Sequence, residues 1–571
     1  AALLRTLLGP AAAPATLAEL ATLCARLPLA LRIAADRINS SSRPVAEAVA
    51  ELAAEPRLDA LAAGDDPHTA ARAVLSWSYQ ALPPAAAVLF RRLGLVPGAD
   101  WDAYAAAALL GGTLADARQT LAALVSAHLV EEYRGRYRMH DLLREYAREH
   151  ARAEDADADR AAVTGRLLDH YLRNAAAAVD VAIPHEKHRR PAVPPPRPPA
   201  PAFADARDAL GWLDAERHNL VVTAVHAADE GRSEHIRLLE STIYRYLLTG
   251  GHHSEALLLH GRALDAAVAA ADRPGEAAAL NNLGNVHWQL GDYGQAADDY
   301  RGALALRRAT GDRAGEAAAL NNLGVIEWHL GHYEASAAYY AQALPIHHET
   351  ANRVGAATTL ANLARVYQRI GRVGEVLDLQ QQALAIFREI GDRSSEANSL
   401  SSLGTYYRRQ RQDEVALDYY QQAIAMQLEL GDRIGEADSL TCIAVIFRHW
   451  GRYEEAAAHC QRALAMAREL GHRTVQLTVL VTLGDVALAA GRPAEALGHH
   501  QAALGLAEEM SDRFMQARAL RGLGTVRQAM GDPAAARRHW QRALELYTDL
   551  GVPQAEVVRD LLDPAGQPVP G

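Results

Sequence analysis

The sequence predicts an all-α protein: a superhelix of stacked helix pairs, preceded by a helical module with one small β-hairpin. Three observations predict it. Leu-Gly recurs at 283–284, 323–324, 403–404, 483–484 and 523–524, a period of 40 residues. Within each row apolar residues fall at helical spacing, as with Leu320, Leu323, Ile326 and Leu330. Glycine then breaks the pattern at Gly291, Gly331, Gly371, Gly451, Gly491 and Gly531, with Arg411 as the exception.

Composition narrows the function. Lys+Arg total 58 against 69 Asp+Glu over 571 residues, a net charge of −11. That is modest for the length, so wholesale nucleic-acid binding is not implied. Lys187 is the only lysine, and arginine carries the positive charge. Cys24, Cys442 and Cys460 are too few and too scattered for a disulfide framework or a zinc site. A reducing, cytoplasmic setting is expected. There is no apolar run long enough for a bilayer span and no signal-peptide pattern.

The elements follow in order. Residues 1–65 read as a helical segment. In "CARLPLALRIAADRIN" (24–39) Pro28 interrupts an apolar run, so a helix should begin near it. From His68 two helices are separated at Pro83-Pro84, and "TLADARQTLAALVSAHLV" is another. A hairpin comes next: Leu129 to Tyr133, a turn at Arg134-Gly135, then Arg136 to Met139. Helices followed by a hairpin make 66–155 a winged-helix domain. The hairpin is expected to be the only β structure. Asp141 can cap the helix that follows, which leaves His140 without a role. Residues 156–232 form a helical linker, in which "RRPAVPPPRPPAPA" (189–202) must be extended. Trp212 and Leu213 of the next helix are expected to pack on the first repeat. About eight repeats, or sixteen helices, occupy 233–552, and 553–571 reads as a flexible tail.

Each repeat has its own internal logic. In the two rows that lack Leu-Gly the pair is Leu363-Ala364 and Ile443-Ala444. Gly324 and Ala343 are small where two helices must approach closely. A glycine inside a helix costs about 1 kcal/mol against alanine, so its recurrence points to a packing requirement. A Gly-Asp-Arg turn closes several rows, as at 311–313, 391–393 and 431–433.

This pattern resembles the tetratricopeptide repeat, whose usual period is about 34 residues. The longer period is similar to that of kinesin light chains and Leu-Gly-Asn-repeat adaptor proteins. The resemblance implies a right-handed superhelix whose groove, lined by the first helix of each pair, binds peptides. Carried over row by row, the groove positions are Asn281, Asn285 and Trp288, then Asn321, Val325 and Trp328. Arg365 and Arg369 follow, then Arg408 and Arg409, then Arg448 and His449. Asp485, Leu488, Thr525 and Gln528 occupy the flanking rows. Guanidinium groups grip carboxylates and phosphates in pairs, so the expected partner is an acidic peptide or a neighbouring acidic domain. Nucleic acid is the alternative.

Leu-Pro-Leu at 27–29, the winged-helix segment and Met139-His140-Asp141 occur in an order that resembles the NB-ARC module of STAND-class signalling ATPases. The resemblance implies that Pro28 packs near an adenine and that His140 touches the β-phosphate of bound ADP. The other reading of His140 is that it satisfies backbone groups at the strand–helix junction. No G-x-x-x-x-G-K-[ST] phosphate loop occurs, so no enzyme activity and no cofactor are expected of this chain alone. ADP or ATP would belong to a longer parent protein. The "DHYL" helix, the Pro-rich loop, the "WLDAERHNL" helix and the repeats together resemble the C-terminal half of large actinobacterial regulators. These include antibiotic regulatory proteins with an N-terminal DNA-binding domain. The implied function is signal transduction or transcription regulation, with partner-sensing repeats, a nucleotide switch and oligomerisation open on activation. A non-switching adaptor is the alternative. The pairs His252-His253, His347-His348 and His499-His500, and Asp298-Asp299, read as surface residues rather than ligands.

Overall fold

The computed structural model describes residues 2–8, 12–23, 43–54, 78–184 and 190–563, with single positions at 31, 34, 35, 38, 39 and 76. Pro28, the helix expected near it, and Lys187 lie outside the described residues. The chain divides into two units, Ala1–Gly275 and Glu276–Gly571.

In the first unit Pro83 is the N-cap and Pro84 the first residue of the helix Pro84–Leu93, a position that needs no N–H donor. The helices Ala103–Leu110 and Leu114–Ser126 follow. Asp102 caps the former by accepting from the Ala105 N–H at 2.8 Å. Thr113 and Asp116 cap the latter reciprocally. Strands β1 (Asp100–Trp101), β2 (Glu131–Tyr133) and β3 (Arg136–Arg138) form an antiparallel sheet in the order β1-β3-β2. Arg134 and Gly135, at φ 52° and 78°, give the left-handed turn that a two-residue hairpin requires. The hairpin is therefore not the only β structure. β1 is too short to show alternation in sequence, and the fully buried Trp101 holds it in place.

His140, not Asp141, is the N-cap of the helix Asp141–Glu154. Its Nδ1 accepts from the Leu142 N–H at 3.3 Å. Asp141 is instead the first helical residue, where negative charge suits the helix dipole.

The helix Ala206–Asp229 is a hub. Asp214 accepts from the Tyr246 hydroxyl at 2.6 Å, and Arg217 donates to Glu255 at 3.1 Å. Glu216, nearly fully buried, pairs with Arg136 of β3, and Asn219 donates to Glu216 at 2.7 Å. Leu213 is buried, whereas the Trp212 ring meets Phe203 of the Pro-rich segment edge-on at 5.7 Å.

Seven helix pairs, from Arg273–Leu290 with Tyr293–Thr310 to Arg513–Ala529 with Pro533–Asp549, follow the pair Ser233–Thr249 and His253–Ala269. That makes the expected sixteen helices, with no strand among the described residues of 233–552. Every residue of the Gly-Asp-Arg turn has a task. Gly311 adopts φ 72° to end one helix. Asp312 accepts from the Gly315 N–H at 2.9 Å to start the next. Arg313 pairs with Glu349 at 2.8 Å.

The helical glycines are explained by aromatic rings sixteen residues on. A Cβ at Gly284 or Gly324 would come within 2.7 Å of Tyr300 or Tyr340. At Gly404, Gly484 and Gly524 it would meet Tyr420, His500 and Trp540 at 2.9, 2.6 and 2.4 Å. In the two rows with alanine, Ala364 and Ala444, the corresponding residues are Gln380 and Cys460. Glycine stands where the ring is large, and alanine where the filler is not aromatic.

These contacts correct two surface assignments. His500 is fully buried as the filler against Gly484, and His347 is buried against Gly355. Neighbours on a helix point about 100° apart, so one member of such a pair can face inward. Asp299 is also buried, with His287 Nδ1 at 2.6 Å.

The second unit closes on itself. Tyr333, Tyr340, Leu363 and Tyr367 share one core cluster with Leu520, Trp540, Tyr547 and Leu550. A Cβ at Gly331 would lie 2.4 Å from Leu550 Cδ2. Nor is 553–571 all tail: Gln554–Leu562 is a helix that adds Ala555 and Val558 to the same cluster.

The glycine contact yields a test. Gly404→Ala should destabilise the repeats by about 1–3 kcal/mol through overpacking. Tyr420→Cys in the same chain should recover part of that loss. Urea midpoints of the two single variants and the double variant measure the coupling, and strict additivity would refute the contact.

Candidate ligand-binding lumen of the repeats

The first helices of the repeats lie against one another along the stack and form its inner wall. Because the turn closes, this wall bounds a lumen rather than an open trough. Arg365, Arg369, Arg408, Arg409 and Arg448 stand on the wall at the positions the repeat register assigns. The structure adds Arg518 and Arg521 from the helix Arg513–Ala529: Arg518 faces Arg369 and Arg408 closely enough to interact electrostatically, and Arg521 stands beside it. Sequence reasoning missed both, together with Asp438. For Asp438 and Arg518 the signal was a column three residues before that of Asn281 and Asn321, in which Asn398, Asp438 and Arg518 align at the repeat period, and Arg521 stands in the Asn281 column itself.

None of these seven arginines forms an ion pair among the described residues. The arginines at the starts of the first helices behave differently. Arg313 with Glu349, Arg393 with Glu429 and Arg433 with Glu469 each lie at 2.8 Å, and Arg513 with Asp549 at 2.7 Å. Arg353 and Arg473 pair in the same register with Glu389 and Glu509. In six successive pairs a carboxylate thus meets the arginine that starts the first helix, whereas the inner-wall arginines have no such partner.

The inner arginines are held by weaker contacts. Arg365 and Arg369 lie 4.9 and 4.8 Å from the Trp328 ring, and Arg369 lies 3.6 Å from that of Phe514. Arg365 donates to Asn362 Oδ1 at 3.2 Å, and Arg409 to the Gln368 carbonyl at 2.8 Å. The Nε atoms of Arg408 and Arg448 are buried without a hydrogen-bond partner. Arg409 reaches solvent, yet the enclosing repeats, then Arg408, Arg369 and Arg518, lower its pKa to about 10. Burial also lowers Arg369 and Arg518. Burial lowers Arg408 too, but Tyr420, Cys442 and Asp413 outweigh it. At neutral pH Tyr420 and Cys442 carry no charge to help.

Between the helices Arg353–Ile370, Arg393–Arg409 and Arg433–His449 the wall opens into a polar recess of 430 Å³. Arg365, Asn362, Asn398, Ser401, Thr405 and Asp438 line it. Asp438 reaches solvent, yet the enclosing repeats hold its carboxyl above the usual range. Asp485 shares the inner wall and lies 3.6 Å from His500.

The amide-rich end is more structural than the sequence suggests. Asn285 accepts from the Tyr300 hydroxyl at 2.7 Å, and Asn321 from Thr359 at 3.2 Å. Asn281 accepts from Asn322 at 3.3 Å. His449 Nδ1 sits 3.1 Å from Asp413. These side chains tie neighbouring helices together, while Trp288 remains exposed. His140 is exposed as a helix cap, and the structure does not bring it together with Pro28, which lies outside the described residues. Among the described residues no His, Cys, Asp and Glu cluster could hold a metal, and no helix is long and apolar enough to cross a membrane.

The fold and its register define an all-α repeat protein, and the comparisons say which repeat. The tetratricopeptide-repeat model matches residues 275–349, 355–429 and 435–509, so this stretch of the chain consists of tetratricopeptide repeats. The chain is 37% identical over 293 residues to the regulatory protein AfsR of Streptomyces griseus. It is 35% identical over 292 residues to that of Streptomyces coelicolor. Each alignment takes in 50% of this chain but only 29% of the relative. In fold the chain is similar to a Signal Transduction ATPase with Numerous Domains (STAND) protein with a tetratricopeptide repeat sensor from Pyrococcus horikoshii. The TM-score is 0.56 at 17% identity, over 94% of this chain and 74% of that one.

The unpaired cations should cost stability. The folded-state pKa of Arg409 lies below its unfolded value, so its destabilisation is fully present below about pH 10 and fades as pH rises through that value. Arg409→Met should therefore raise the urea midpoint at neutral pH. Arg433→Met, which removes an exposed outer pair, should lower the urea midpoint slightly or leave it unchanged. Equal effects of the two substitutions would contradict the distinction.

Proposed function

We propose that this chain is the sensor-bearing part of a regulatory signalling protein whose repeat lumen binds an acidic protein segment. The observation that carries this reading is the set of inner-wall arginines that form no ion pair among the described residues while the arginines starting the first helices are paired. Similarity to regulatory proteins supports the signalling role, and transcription regulation is the form it takes here. The chain itself is non-catalytic in this reading and works inside the cell.

The 66–155 module acts as a winged-helix domain that reports nucleotide state in a longer protein. His140 fits a phosphate. With Nδ1 accepting from the Leu142 N–H, the neutral imidazole carries its proton on Nε2, an exposed donor. A bound ADP would supply the charge that this donor meets. The same capping bond favours a second reading, a non-switching adaptor in which His140 only closes the helix.

Two measurements separate these readings. In the longer protein His140→Ala should release ADP that the unmodified protein retains, measured by chromatography after denaturation. Unchanged ADP content would favour the adaptor. Arg365→Glu with Arg408→Glu and Arg448→Glu should abolish capture of acidic segments in a pull-down, and unchanged capture would remove the lumen from consideration.

A further inference from the structure

The closed turn has a seam, and arginines from both sides meet across it, with Asp512 acting on Arg369 and Asp485 on Arg518 as the acidic groups nearby. On one side stand Arg369, Arg408 and Arg409, carried by the third and fourth helix pairs, and on the other Arg518 and Arg521, carried by the seventh. Arg518 raises the cost of keeping Arg369 and Arg409 charged, and Arg408 does the same to Arg518, with Asp485 offsetting part of it. Apolar contacts hold the seam: Arg369 lies on Phe514, and Tyr333 and Tyr367 share a cluster with Leu520 and Leu550. Repulsion between the arginines inside the lumen opposes them.

We propose that the acidic segment binds across this seam, with carboxylates between Arg408 or Arg409 on one side and Arg518 or Arg521 on the other, and thereby holds the superhelical turn shut. This rests on the lumen being the binding surface and adds how binding is read out. The ligand is an extended peptide with at least two carboxylates. A simple inorganic anion would have no use for Asp438 and the amide and hydroxyl groups of the adjoining recess, whereas a peptide backbone offers N–H donors and carbonyl acceptors to them. Binding exchanges repulsion between like charges for paired carboxylates in an enclosed space, where such pairs gain most. Closure then depends on ligand, and a regulatory protein can transmit that change.

The test uses the whole chain with fluorescein-labelled hexaglutamate as probe and hexalysine as control. Anisotropy reports binding, and hydrogen exchange reports the seam. Hexaglutamate should bind, and should slow exchange in the helices Arg513–Ala529 and Gln554–Leu562 by about tenfold or more. Arg518→Glu places a carboxylate at the seam, so it should slow the same exchange without peptide and weaken peptide binding. Arg521→Glu repeats the test should the first variant fold poorly. Arg433→Glu, on the outer face, should change neither readout. Binding without added protection overturns the seam mechanism alone. No binding overturns the lumen reading as well. Faster seam exchange in both charge-reversal variants overturns the repulsion argument.

Discussion

The repeats depend on one contact, a glycine in the first helix under an aromatic ring from the second. Removing Cβ lets the two helices approach until Tyr300, Tyr340, Tyr420, His500 or Trp540 fills the gap. The contact trades the helical cost of glycine for dense packing. Because it recurs in register, each pair adopts nearly the same geometry, and the small rotation from pair to pair accumulates. The closed turn is the consequence. Tyr340 belongs both to its own repeat's glycine contact and to the cluster that joins the second and third pairs to the seventh.

Closure changes the meaning of charge. An arginine on an open groove is solvated and ordinary. In a lumen the same side chain loses water and meets arginines from the far wall, as the half-buried Arg518 meets Arg408. The outer ladder from Arg313–Glu349 to Arg513–Asp549 shows that this chain can pair arginine with acid in six successive repeats. The inner wall does not, and the cost is the kind a binding site imposes on stability. Cation–π contacts with Trp328 and Phe514 hold Arg369 in place without neutralising it.

The first unit is organised differently, around a single helix rather than a repeated contact. Ala206–Asp229 uses Asp214, Glu216, Arg217 and Asn219 to bind its neighbours. The Arg136–Glu216 pair links it to β3, four residues before His140. Breaking this pair by removing Arg136 would leave the buried Glu216 carboxylate without its cation, which is costly. The pair connects the hairpin and the helix His140 caps to the helix pair at Ser233–Ala269, within one unit.

The sequence by itself determined what repeats locally: the period, the sixteen helices, the turns at Gly311 and its equivalents, and the columns in which Arg365, Arg408 and Arg448 stand. These follow from helical spacing, capping and glycine chemistry, which act over a few residues. It also held the Gly–aromatic correspondence, including the alanine rows with Gln380 and Cys460, though only geometry revealed its purpose. It could not show that His347, His500 and Asp299 face inward, because adjacent helical residues differ by orientation alone. Nor could it show β1, which two residues and one buried Trp101 define. Only the tertiary structure decided that the turn closes, that Arg518 and Arg521 join the arginines of distant repeats, and that none of the seven is paired. The reason is physical: closure depends on a rotation summed over many repeats, and no single repeat encodes the sum.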